Sequence, residues 1–88
     1  MTDSELRSAI AALLREAGIF YLRDGNLEQA FIDGSFDAQL EQLDIDSLAA
    51  MELCIGLEVN WGSALVPEDL NRVGSLQSLV RVVRDGAS

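Results

Sequence analysis

A serine directly behind an aspartate, at the point where an apolar helical pattern begins, is the arrangement in this chain with the clearest chemical meaning: Asp46-Ser47-Leu48. Asp46 is a good N-cap, because its carboxylate can accept from the N–H groups of a first helical turn. Ser47 then falls just inside the helix with its hydroxyl exposed. The open N–H groups and the positive end of the helix favour a phosphate attached there. The same residues are also ordinary capping chemistry, so the tripeptide by itself is a weak signal. Other candidates carry less. Cys54 lies on the core side of the same helix, where a free Cys behaves as a small hydrophobe. The chain has no His and no Lys to lower its pKa. The absence of His also removes the commonest general base and argues against a zinc site. Acid-rich turns suggest calcium, but an EF-hand loop needs Gly at its sixth place and Glu at its twelfth. Counted from Asp33 those places hold Ala38 and Asp44, and counted from Asp24 they hold Gln29 and Ser35. The calcium reading fails.

The elements that must position Ser47 are legible to different degrees. Thr2 and Glu5 have capping-box spacing, and Leu6, Ile10, Leu13, Leu14 and Ala17 follow at helical spacing until Gly18 closes the run. Arg7, Arg15 and Glu16 read as its solvated face. Residues 19–45 read as a long loop with one or two helical turns. Turn residues cluster at Asp24-Gly25-Asn26 and Asp33-Gly34-Ser35, and Phe36, Leu40 and Leu43 allow a short helix over about 36–43. Ile19-Phe20-Tyr21-Leu22 passes equally for a strand, without a partner strand to pair with. The central helix runs from Ser47 to about Asn60. At about 100° per residue one side carries Ala50, Leu53, Cys54, Leu57 and Trp61, assigned to the core. The opposite side carries Leu48, Met51 and Ile55, bordered by Glu52 and Glu58. Apolar residues on two faces mean a central helix or an exposed face with a purpose. Pro67-Glu68-Asp69-Leu70 reads as a short helix with Pro at its first position. Gly74 stops the chain, Ser75 caps a last amphipathic helix through Leu76, Leu79, Val80 and Val83, and residues 85–88 read as a frayed tail. The expected fold is all-α: one domain over residues 1–88, a small four-helix bundle of three main helices and a short third, with a long first loop.

Charge and composition narrow the function. Six Arg face fifteen Asp and Glu, a net charge of −9. That balance disfavours nucleic acid and anionic membrane surfaces and favours basic protein partners. Trp61 and the three Phe therefore read as core or loop anchors rather than a base-stacking platform. A single Cys forms no internal disulfide. No targeting segment is visible and no apolar run approaches the roughly 20 residues of a membrane span. The expectation is a soluble, cytoplasmic monomer.

The surroundings of Ser47 add a resemblance. Leu43-Asp44-Ile45-Asp46-Ser47-Leu48 resembles the approach to the phosphopantetheine-attachment serine of acyl carrier proteins, and residues 50–58 resemble the helix that follows, with its Met-Glu-Leu step and Leu-Glu ending. Trp61-Gly62 stands where that family has an aromatic and Gly. Pro67-Glu68-Asp69 resembles the Pro-acid run that opens its third helix. The resemblance covers residues 43–83 and, in a general way, the first helix. It implies a non-enzymatic carrier on which a phosphopantetheinyl transferase uses coenzyme A to attach 4'-phosphopantetheine to Ser47, with Asp46 as part of the motif. Acyl groups would then ride as thioesters among synthase or acyl-transferring enzymes with basic docking surfaces. Leu48, Met51, Glu52, Ile55 and Glu58 would form the face those enzymes meet. The stretch from Gly18 to Asp46 is longer than in fatty-acid carriers, and Gln42-Leu43-Asp44 stands where Asp-Leu-Gly is customary. These departures point from housekeeping fatty-acid synthesis toward a dedicated carrier in a polyketide, specialised lipid or related pathway. Two alternatives remain: an unmodified acidic helical adaptor, and an aminoacyl or aryl carrier.

Overall fold

Capping decides where the first helix begins and ends. In the computed structural model, which describes residues 2–23 and 25–86, the Thr2 hydroxyl accepts from the Glu5 N–H at 3.1 Å and opens α1 (Asp3–Glu16). At the other end Gly18 takes φ +82°, and the Ile19 and Gly18 N–H groups return to the Leu14 and Arg15 carbonyls at 2.8 and 3.1 Å. This is the left-handed stop that Gly makes without Cβ strain. Leu6, Ile10, Ala11 and Leu14 are buried from α1. Residues 19–22 then form a turn rather than a strand, burying Ile19 and Leu22 and exposing Phe20 and Tyr21.

The long first loop is not structureless. It holds a nine-residue helix, α2 (Gly25–Asp33), where the sequence pattern suggested a turn at Gly25-Asn26; Asp24 lies outside the described residues. Nine residues are too few to be stable from local propensity. Packing supplies the rest: Phe31 is fully buried, and α2 lies against α1. Arg7, expected on a solvated face, turns inward and donates to the Ile32 carbonyl and to Gln77 Oε1, both at 3.2 Å. Gln77 in turn donates through Nε2 to the Phe36 carbonyl at 3.0 Å, and its backbone N–H donates to the Asp37 carboxylate at 3.0 Å. Gly34, at φ +85°, allows the Arg7 guanidinium to lie where a Cβ would otherwise meet it at 3.2 Å. Beyond this lock residues 36–38 have no regular structure, Gln39 is extended, and the helical turn expected over 36–43 is confined to a 3-10 turn, Leu40–Leu43.

The central helix is α3 (Ser47–Trp61), closed by Gly62 at φ +68°. Its inner side is the expected one: Leu53 and Leu57 are fully buried, and Ala50 and Cys54 nearly so. Trp61 packs against the core but stays partly open. Gly56 brings α1 close, since a Cβ there would stand 2.7 Å from Leu13 Cδ2. A 3-10 turn at Pro67–Asp69 leads into a single turn of helix, α4 (Leu70–Val73). Ser75 then accepts from the Ser78 N–H at 3.2 Å to open α5 (Leu76–Gly86). Asp85 and Gly86, expected in a frayed tail, belong to this helix; residues 87 and 88 lie outside the described residues. Backbone bonds from Leu40 to Gly74 and from Leu76 to Ala38, at 2.8 and 3.0 Å, tie the end of the first loop to the α4–α5 junction. Among the described residues the fold is a small all-helical bundle without strands, and no helix is long and apolar enough to cross a membrane.

Candidate functional site

Three conformational decisions bring Ser47 to the surface. The 3-10 turn buries Leu40 and Leu43, which anchors the approach. Asp44 then takes a left-handed conformation, φ 54°, among the few such positions that Asp tolerates. Its short polar side chain allows here what Gly would do with less strain. Asp46 is extended and caps α3, its Oδ1 accepting from the Ala49 N–H at 2.7 Å while its carbonyl accepts from Ala50 at 2.9 Å.

Ser47 is exposed, and its hydroxyl makes no hydrogen bond within the described residues. The N–H groups of Ser47 and Leu48 likewise find no acceptor there, as expected for the first turn of a helix. Asp46 therefore satisfies the third N–H of the turn and leaves two pointing outward beside a free hydroxyl. An anionic group esterified to Ser47 would meet those donors and the positive end of a fifteen-residue helix.

Beside this position opens a cleft of about 440 Å³, between the Leu40–Leu43 turn, the first turns of α3 and α4. Leu40, Ile45, Ala50 and Leu70 give it apolar surface, and Glu41 and Asp44 line it with carboxylates. Ser47 is not part of its wall; Ile45 and Ala50, on either side of Ser47 in sequence, are.

The outer face of α3 is as apolar as its inner face. Leu48, Met51 and Ile55 are 65%, 52% and 53% exposed, with Glu52 and Glu58 exposed beside them. Val59, 79% exposed, extends the stripe. It lies four residues after Ile55, so the i, i+4 spacing carries the signal for a stripe one turn longer than the expected Leu48, Met51 and Ile55. None of this face is covered by Phe31 or Phe36, which turn into or against the core.

Cys54 sits on the opposite side of α3, 5% exposed. Burial pushes its thiol above the ordinary value, and the negative charge of Asp69 adds to the shift. Both effects disfavour the thiolate, the form that attacks electrophiles and binds metals. Comparisons with protein-family models, curated proteins and solved structures find no match to this chain.

Proposed function

We propose that the chain is an acyl carrier, modified at Ser47 with 4'-phosphopantetheine by a transferase that uses coenzyme A. The observation that carries this reading is an unengaged, exposed serine hydroxyl at a capped helix start, continuous with an uncovered apolar stripe on the same helix. The residues fit the group. The Ser47 hydroxyl is the attachment point, the Ser47 and Leu48 N–H groups face an attached phosphate, and Asp46 fixes the turn without occupying either donor. When bound, the group supplies a terminal thiol that holds acyl chains as thioesters. The chain's own contribution is to keep Ser47 accessible, to hold the first turn of α3 in one geometry, and to present a docking face beside it. Leu48, Met51, Ile55 and Val59 offer that face apolar contact, and Glu52 and Glu58 steer a basic partner toward it. Such steering acts on the association rate more than on final affinity.

Incubation with coenzyme A and a broad-specificity phosphopantetheinyl transferase should add one phosphopantetheinyl group, located by intact mass and peptide mapping on Ser47. Ser47→Ala should fold normally and stay unmodified. Modification at another serine, or none with several transferases, overturns the carrier reading. A partner captured on the α3 stripe by the unmodified chain would then favour the acidic adaptor, which needs the stripe but not the serine.

A further inference from the structure

With no Lys in the chain, its six Arg are its only side-chain cations at neutral pH. Four have their partners elsewhere on the molecule. Arg7 locks α2, Arg15 pairs with Glu28 at 3.3 Å, Arg84 pairs with Asp3 at 2.9 Å, and Arg23 lies over the Phe20 ring. The remaining two, Arg72 from α4 and Arg81 from α5, come together on one open groove of about 460 Å³. Leu65, Val73 and Val82 supply its apolar surface, and Val82 is 40% exposed. Asp69 also borders it, but its carboxylate accepts from the Val66 N–H at 3.1 Å and pairs with Arg72. Those bonds hold Asp69 below the ordinary carboxylate range. Arg81 is exposed and forms no ion pair with any described residue.

The groove is separate from the cleft beside Ser47. At 100° per residue, Leu70, Asn71 and Gly74 face that cleft and Asp69, Arg72 and Val73 face the groove, on opposite sides of one helical turn. We propose that the groove docks a segment of a partner protein that presents a carboxylate next to aliphatic side chains, with Arg81 receiving the carboxylate and Leu65, Val73 and Val82 the aliphatic part. Charge decides the class of occupant. Asp69 offsets Arg72, so the groove carries about one net positive charge on a molecule of net charge −9. Charges farther away than about 8 Å are largely screened at physiological salt, so the groove's own sign governs close approach. Two guanidiniums are too few to bind a nucleic-acid backbone against that net charge. The α3 face attracts the opposite class of surface, so a basic and an acidic partner can occupy one molecule without competing for a site.

The test is an NMR titration of the ¹⁵N-labelled protein with a synthetic amphipathic peptide of Leu and Glu, and with its Leu and Lys counterpart. The Leu/Glu peptide should shift the amides of Val73, Ser78 and Val82. Arg81→Glu removes an attraction and adds a repulsion of similar size, so it should weaken binding roughly tenfold. Arg81→Gln should fall between, and both variants should melt as the parent does, because Arg81 is exposed. Ser47→Ala should bind the peptide as the parent does, so a failure of the carrier reading leaves this result intact. No shift at millimolar peptide, shifts confined to α3, equal binding by Arg81→Glu, or occupation of the groove by the Leu/Lys peptide each overturns the proposal.

Discussion

Cys54 shows how one residue's surroundings set its chemistry. The thiol is buried against the core side of α3 and its pKa stands above the ordinary value of 9.0, through desolvation first and the Asp69 charge second. The folded state therefore prefers the neutral thiol more than the unfolded chain does. Its contribution to stability is fully present below about pH 9, where the unfolded thiol titrates, and is lost as the pH rises toward the higher folded value. Melting curves between pH 7 and 11 should show an alkaline loss of stability in the parent that is smaller in Cys54→Ala. Native protein should resist alkylation, and unfolded protein should react at once. Rapid labelling without loss of fold would place the thiol at the surface and contradict the orientation of α3.

Elements differ in what holds them, and that governs how far each could be read in advance. α3 was legible because Asp46 and Gly62 mark both ends, and its fifteen residues separate a core face from an outer one. α2 was not, because its stability comes from residues distant in sequence. Leu27 and Phe31 are too short a pattern, and Gly25-Asn26 read as a turn. The decisive contacts come from Arg7 on α1, which reads from the sequence as solvated surface, and from Gln77 on α5, to which the sequence pattern assigns no role. The geometry of the candidate site at Ser47 was legible since a cap, a hydroxyl and a stripe are all local to one helix. The cleft beside it was not, since three distant segments form its walls. Arg7→Met keeps the aliphatic stem and removes the guanidinium, leaving the Ile32 carbonyl and Gln77 Oε1 without that donor. It should cost roughly 1–3 kcal/mol. Hydrogen exchange should quicken first at residues 25–36 while α3 stays protected; uniform quickening would show that the lock belongs to the whole bundle rather than to α2.

At the scale of the molecule, accessible surface is 5162 Å², close to the roughly 5,000 Å² expected of a folded monomer of this mass. The uncovered α3 stripe is therefore a local feature of a well-folded chain, not a sign of loose packing. Its exposure predicts that Glu52→Lys and Met51→Ala leave the melting temperature nearly unchanged, and the carrier proposal adds that both slow modification at Ser47 by the transferase. The Glu52 effect should shrink in high salt, where exposed charges are screened. Early melting with normal modification would return the stripe to the core and move docking elsewhere. The single turn of α4 has a mechanical consequence. It is the common wall of the Ser47 cleft and the Arg81 groove, so the two spaces share a partition one helix thick. A shift of that partition toward either space would narrow it and widen the other. A guest that favours one position of the wall must change the other chamber's affinity by a factor that is equal in both directions.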